Sequence, residues 1–375
     1  MDVNQPQQLL GGLSAKLFMQ RHWQKRPLLI RQALNGFASS LESAALFALA
    51  GREEVESRLV MGPNNRAVDW KMRQGPFVRR ALPPLKRPGW TLLVQGVDLH
   101  VEEVHDLLNR FRFVPDARLD DLMVSYASDG GGVGPHFDSY DVFLLQARGR
   151  RRWRIRRQKD LELVPGAPLK ILRNFEPEQA FDLDPGDMLY LPPRYAHDGV
   201  ALGECMTYSI GFKAPARGDL AGELLERLAH DAEDAVGDKL YCDPRQLAVH
   251  TPGAIPAGLT DFARRALQRA IHDPATLDRA LGEYLTQPKP RVWFDAANSG
   301  NLDGALRLDR RTRMMYDQQH IFINGDSYRA SGRDATLMRR FADARQLDAV
   351  ETGRVSAQAR AMLGDWCEAG WIHVA

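Results

Sequence analysis

The sequence predicts an α+β chain in three parts: a β-rich barrel or sandwich, a helical region, and a mixed C-terminal module of winged-helix type. Three observations carry this. Over residues 1–213 short apolar runs alternate with Gly/Pro turns, the pattern of an antiparallel barrel or sandwich. Over residues 214–287 apolar residues recur at helical spacing, as at Leu220, Leu224, Leu225 and Leu228. After the Pro-rich break Gln287-Pro288-Lys289-Pro290, residues 291–375 mix both patterns.

In chain order, a helix is expected near Leu13 to His22. Strands are expected at Trp90 to Gly96, Leu122 to Ala127, Asp141 to Ala147, Arg150 to Arg156, Met188 to Leu191 and Met206 to Phe212. In the second part Phe262, Ala266, Leu267 and Ile271 again fall at helical spacing, so these helices should each bury one face. The third part offers strands at Leu306 to Leu308 and His320 to Ile323, and a hairpin signal at Asn324-Gly325. Helices near Ala335 to Ala344 and Ala357 to Ala369 and a last strand, Trp371 to Val374, complete it.

Composition sets outer bounds. The 375 residues are 44% apolar and 26% charged, an ordinary globular balance with room for two or three domains. The net charge of +2 gives no argument for nucleic acid or a membrane surface. The third part carries 12 Arg against 11 Asp and Glu, so no strong basic face is available and direct nucleic-acid binding is not expected. Cys205, Cys242 and Cys367 form no CxxC and no disulfide framework, which fits a reducing cytoplasm. Met1 to Gln8 is polar and reads as no secretion signal, and no stretch approaches the roughly 20 apolar residues that span a bilayer.

Function is read from His136-x-Asp138 and from His197, about sixty residues later. Two imidazoles and a carboxylate are the ligand set of a non-haem iron(II) oxygenase, bound on one face of the metal with the other open. Residues two apart on a strand point the same way, so His136 and Asp138 share a face. His197 follows the strand Met188 to Leu191 and a Pro192-Pro193 turn. Between Arg148 and Arg157 stand seven arginines. Arg150, Arg152, Arg154 and Arg156 read as a solvated face. The other phase is Arg151, Trp153, Ile155, and the two apolar members draw Arg151 inward. A buried cation needs an anion. Either an internal ion pair supplies it, or a dicarboxylate co-substrate does, with its keto-acid end on the metal and its distal carboxylate on Arg151. Ser125, on the strand Leu122 to Ala127, can add a hydroxyl donor. The same three metal ligands also serve a zinc or manganese cupin isomerase or hydrolase, which would leave Arg151 and Ser125 without a role.

With these residues in view, the chain resembles the bacterial ribosomal oxygenases, JmjC-type arginine hydroxylases of cupin fold. The resemblance runs through Arg21-His22-Trp23-Gln24-Lys25-Arg26-Pro27, Ser57-Arg58-Leu59-Val60, Asp120-Asp121-Leu122-Met123-Val124-Ser125, Gly130 to Asp138, Tyr140-Asp141-Val142-Phe143, Gly149 to Arg154, and Pro185-Gly186-Asp187 through His197. It implies a double-stranded β-helix (jelly-roll) catalytic domain, a helical dimerisation region and a winged-helix-like C-terminal domain. It places the iron ligands on His136, Asp138 and His197, and 2-oxoglutarate on Arg151 and Ser125. It implies Fe(II), 2-oxoglutarate and O2 as the reagents and a homodimer as the assembly. The target implied is an arginine Cβ in ribosomal large-subunit protein sixteen; for such a cationic side chain Asp129 and Tyr140 are the candidate holders, though Asp129 equally suits a turn and Tyr140 a barrel filler. The demethylase branch of the JmjC group uses the same iron chemistry on an N-methyl carbon and is the alternative within this resemblance.

Overall fold

The apolar run Val142 to Ala147 is the sequence of a strand covered on both faces. In the computed structural model, which describes residues 2–62, 70–230, 232–296 and 302–374, it opens the central strand of the first of two compact units, Met1–Ala214 and Pro215–Ala375.

The first unit contains, in order, α1 (Ala15–Arg21), β1 (Leu28–Ile30), α2 (Ser43–Leu49), β2 (Ser57–Met61), β3 (Lys71–Gln74), β4 (Trp90–Val94), α3 (Glu102–Asn109), β5 (Leu119–Ala127), β6 (Val142–Arg156), β7 (Gln179–Leu183), β8 (Met188–Leu191) and β9 (Ala196–Phe212). The strands are antiparallel in the order β1-β8-β6-β9-β5-β4-β2-β3, with β7 also on β6. β6 and β9 are much the longest strands of the unit, and each changes neighbours along its length. Val142 to Leu145 of β6 pairs with β8, whereas Arg151 to Ile155 pairs with β7. The C-terminal half of β9 pairs with β5, while His197 near its start bridges to His136. Register shifts between Gln146 and Arg150 mark where β6 bends. Gly149 sits there at φ +62, where a Cβ would collide with Glu204 O. One long bent pair of strands, β6 and β9, thus serves both layers of a jelly-roll.

Two readings of the sequence need correction. The expected strands Asp141 to Ala147 and Arg150 to Arg156 are one strand carried through a bulge, β6. The expected strand Met206 to Phe212 extends back to Ala196, so His197 lies inside β9. Gly199 and Gly203 had hidden that extension by interrupting the apolar pattern.

The core is aromatic. Phe18 of α1 packs edge-on to Tyr190 of β8, and Trp23 stacks on Tyr190. Tyr190 Oη donates to the fully buried Asp141 at 2.5 Å, and Gln24 Nε2 donates to the other carboxylate oxygen at 3.1 Å. The segment after α1 is thereby fixed to the start of β6. Truncating one of these buried rings to alanine costs about 3–5 kcal/mol.

The second unit contains α4 (Arg217–His230), α5 (Ala232–Val236), α6 (Ala257–His272), α7 (Pro274–Thr286), β10 (Leu306–Leu308), β11 (Met314–Tyr316), β12 (His320–Ile323), β13 (Asp326–Arg329), α8 (Gly332–Ala344), β14 (Gln346–Leu347), α9 (Ala349–Thr352), α10 (Ala357–Glu368) and β15 (Ile372–Val374). Two three-stranded sheets, β14-β10-β15 and β11-β12-β13, share a core with α8 and α10 that includes Leu306, Ile323, Phe341, Leu363 and Trp366. The Asn324-Gly325 hairpin forms between β12 and β13, with both residues at positive φ as a two-residue turn requires. Helix α7 packs on this module: Gly282 abuts the Phe322 ring, and Thr286 Oγ1 accepts from Gly325 N.

The helices before α7 depart from expectation. α6 buries none of its residues, and Leu259, Leu267 and Ile271 are exposed. α4 buries Leu228 and leaves Leu225 exposed. Helical spacing states that a face needs apolar neighbours; it does not state that the same chain supplies them. Among the described residues no helix is long and apolar enough to cross a membrane.

Candidate metal centre

The glycine-rich entry to His136 is shaped by close packing. Gly134 is at φ +78, and a Cβ there would lie 2.7 Å from the Trp70 ring and 2.8 Å from Ile171. His136 N donates to His197 O at 2.9 Å and His197 N donates to His136 O at 2.8 Å. Directly opposed residues of an antiparallel pair present their side chains to one face; the two imidazole centroids are 4.2 Å apart. Asp138, two residues on, brings Oδ2 to 3.6 Å from His197 Nε2. One ligand atom from each of the three lies within 4.8 Å of the others. The sequence suggested a regular strand through His136 and Asp138. The structure has a single bridge there, because Pro135 has no N–H to donate and Gly134 turns the chain.

The hydrogen bonds decide which nitrogens face the centre. His136 Nδ1 lies 2.9 Å from Gly134 O, and His197 Nδ1 lies 2.9 Å from Tyr195 O. A carbonyl only accepts, so each Nδ1 carries the proton and each Nε2 keeps a lone pair. Burial, reinforced by His136, pushes the His197 imidazole down to about 4, so it is neutral at neutral pH. Two imidazole Nε2 atoms and a carboxyl group fit a divalent transition metal held on one side.

Arg151 lies next to this cluster and is 3% exposed. Its guanidinium is 5.0 Å from the Trp153 ring centroid, and that ring is 5.8 Å from His197. Nη1 donates to Ser125 Oγ at 3.3 Å and to Thr207 Oγ1 at 3.4 Å; Nη2 donates to Gly199 O at 3.1 Å. Nε is buried without a partner. Every partner is neutral, and burial pushes the guanidinium below its ordinary range. The outer arginines differ. Arg150 meets Asp184 at 2.8 Å, Arg152 meets Asp182 at 2.6 Å, Arg154 meets Asp198, and Arg156 meets Glu176 and Glu178. The face read as solvated is ion-paired; the inner arginine is the one without a carboxylate.

A metal triad beside a buried, anion-seeking arginine can be set against known proteins. The JmjC domain family matches residues 106–220, and the ROXA-like winged helix family matches residues 269–373. The ribosomal protein uL16 3-hydroxylase of Escherichia coli is 36% identical over 334 residues, covering 85% of this chain and 86% of the relative. The chain belongs to the bacterial ribosomal oxygenases. An X-ray structure of E. coli YcfD superposes with a TM-score of 0.84 at 30% identity, covering 97% of this chain and 98% of that one. A structure of YcfD, a ribosomal oxygenase from E. coli, in complex with cobalt and 2-oxoglutarate gives a TM-score of 0.78 at 29% identity, covering 96% and 98%.

Within this ribosomal oxygenase the remaining sequence candidates fall in different places. Ser125 is buried on β5 and faces Arg151. Tyr140 is half-exposed; burial of its hydroxyl and the charges of Asp138, Asp121 and Asp120 push the phenol upward. In the chain it follows Asp138 by two residues. Asp129 is exposed, and its carboxylate accepts from Gly203 N of β9 at 2.8 Å, a contact across 74 residues of chain. Three residues at Arg151 escaped the sequence reading: Gln146, Thr207 and Gly199. Gln146 had a signal, a lone amide inside the apolar run Val142 to Ala147. Gly199 carries none, yet a Cβ there would lie 2.6 Å from Trp153 and 2.8 Å from Arg151 Nε.

Proposed function

We propose that this ribosomal oxygenase uses Fe(II), 2-oxoglutarate and O2 to hydroxylate an arginine side chain, at Cβ, of ribosomal large-subunit protein sixteen. The observation that carries the reading is Arg151: a cation buried among neutral partners next to a His/Asp/His cluster. Such a group is satisfied by an anion from outside the fold. The relatives described as a uL16 3-hydroxylase and as a ribosomal oxygenase in complex with cobalt and 2-oxoglutarate support the choice of substrate and co-substrate.

In this reading His136 Nε2, His197 Nε2 and an Asp138 oxygen hold the metal, and their grouping on one side leaves the other side open. Bound there, Fe(II) and 2-oxoglutarate supply oxygen activation coupled to decarboxylation of the keto acid to succinate and carbon dioxide. Arg151 and Ser125 bind the distal carboxylate, a charge-assisted contact that sets how far the keto-acid end reaches. Trp153, under the guanidinium, keeps that end of the pocket dry and so strengthens the contact. Tyr140, with Asp120, Asp121 and Asp138 acting on its hydroxyl, offers an aromatic face in a negative setting to a cationic side chain. Asp129, whose carboxylate accepts from Gly203 N, is given no part in this reading.

The helices suggest the assembly. Leu259, Leu267 and Ile271 on α6 and Leu225 on α4 are exposed together with Leu240, Leu247 and Ile255, a concentration of large apolar side chains in one region that suits burial against a second copy. The region 214–287 is therefore the dimerisation region of a homodimer. Cys205, Cys242 and Cys367 are all free, which suits the cytoplasm.

The test is anaerobic loading with Fe(II) and 2-oxoglutarate, followed by oxygen and a peptide of ribosomal large-subunit protein sixteen. Succinate coupled to one added oxygen on arginine is expected. Succinate without peptide modification would reject this substrate and keep the oxygenase. Loss of a methylene from a methylated peptide would move the chain to the demethylase branch. Bound zinc or manganese with no 2-oxoglutarate consumption would favour an isomerase or hydrolase.

A further inference from the structure

Gln146 and Thr207 are completely buried polar side chains to which the proposed reaction gives no part. Gln146 Nε2 donates to Arg148 O at 2.8 Å and to Gly149 O at 3.2 Å, the two carbonyls at the β6 bulge. Carbonyls only accept, so this end of the side chain must be the NH2 and the other end must be Oε1. Thr207 Oγ1 donates to Oε1 at 3.0 Å. A hydroxyl has one hydrogen. With that hydrogen committed to Gln146, Thr207 can only accept on its remaining side, where Arg151 Nη1 stands at 3.4 Å. The amide therefore dictates the polarity of the hydroxyl, and the hydroxyl seats the guanidinium. The same amide clamps the bulge five residues or fewer before Arg151, where the strand changes register. The backbone of Gln146 is tied down as well: its N–H donates to Asp187 O and its carbonyl accepts from Gly186 N, each at 2.9 Å.

We infer that Gln146 and Thr207 are positioning residues for co-substrate binding: together they hold the Arg151 guanidinium in the orientation from which it and Ser125 receive a distal carboxylate. This rests on the proposed role of Arg151. A merely structural pair would, when altered, disturb every ligand of the pocket. A positioning pair disturbs only ligands that reach Arg151.

Oxalate and 2-oxoglutarate separate the two cases, since both offer carboxylate oxygens to a metal and only 2-oxoglutarate carries a distal arm. Calorimetry on the full-length, Mn(II)-loaded protein reads binding without turnover. Thr207→Val keeps the shape and removes the hydroxyl; it is expected to weaken 2-oxoglutarate about tenfold while leaving oxalate within about twofold. Thr207→Ser restores the hydroxyl and is expected to restore 2-oxoglutarate affinity. Gln146→Glu keeps the volume, removes the NH2 donors and places a carboxylate one hydroxyl away from Arg151; it should also weaken 2-oxoglutarate selectively. If Thr207→Val does not fold, Gln146→Glu against wild type carries the same comparison. Unchanged 2-oxoglutarate affinity in the folded variants, or an equal loss for oxalate, overturns the inference. A wild-type protein that binds oxalate and not 2-oxoglutarate instead overturns the co-substrate reading itself, before any variant is considered.

Discussion

The two faces of β6 carry the same residue type under opposite conditions. Arg150, Arg152, Arg154 and Arg156 point outward, and each finds a carboxylate on a neighbouring strand or loop. Arg151, between them in sequence, points inward and finds two hydroxyls, a carbonyl and an indole ring. Exposed pairs contribute about 0–1 kcal/mol each. An uncompensated buried charge costs several. The outer arginines complete their electrostatics within the fold, so their removal should be mild. The inner one is incomplete until an anion arrives, so its cost to the fold is the measure of its use.

The largest break in this contrast comes from the metal side. His136→Ala or Asp138→Ala should abolish succinate formation while the far-ultraviolet circular dichroism stays as in wild type; near-normal succinate would remove that residue from the ligand set. Arg151→Ala should raise the 2-oxoglutarate requirement about 100-fold or more, the scale of a lost two-point charge-assisted contact. Arg152→Ala, its outward neighbour, should leave that requirement unchanged. If both variants moved it equally, the inward phase would have no special role.

A pH test probes the burial that both Arg151 and His197 share. The folded pKa of His197 is depressed from 6.5 to about 4. Between those values the unfolded chain binds a proton that the folded chain does not. Stability from this group is therefore complete above pH 6.5 and falls with pH toward 4, by about 3 kcal/mol in all. Urea unfolding of metal-free wild type and His197→Gln at pH 7 and pH 5 should show the steeper fall in wild type. Equal slopes would mean that His197 is not desolvated. Smaller still, Arg151→Met should stabilise the ligand-free protein by about 1–2 kcal/mol, by removing a buried unpaired charge, while 2-oxoglutarate no longer raises its Tm. Arg152→Ala should destabilise by at most about 1 kcal/mol, less in high salt.

Much of the site was legible because strand phase is a local property. Trp153 and Ile155 want the core, and a period of two then carries Arg151 in with them. The same argument paired His136 with Asp138, which the structure brings together without the regular strand it assumed. Ser125, offered as a hydroxyl on the strand Leu122 to Ala127, stands on β5 at 3.3 Å from Arg151. What stayed illegible depends on contacts between distant segments. The pairing that joins Gln146 to Thr207 crosses 61 residues of chain, and the demand for glycine at Gly199 comes from the Trp153 ring of the adjacent strand. The bulge that fuses two expected strands into β6 likewise appears only when β9 is laid beside it. The exposed Leu259 and Leu267 of α6 show the converse: a helical stripe that the sequence expected to be buried and that stays uncovered among the described residues.

By itself the sequence determined the kinds of elements, the face each side chain takes within its element, and the ligand types available, because those follow from local spacing and residue chemistry. The tertiary structure decided which faces meet. It closed His136 onto His197 through a single bridge and left Arg151 without a carboxylate. Those outcomes depend on the long-range packing of β6 against β9, where loss of water makes a pairing, or its absence, matter by several kcal/mol.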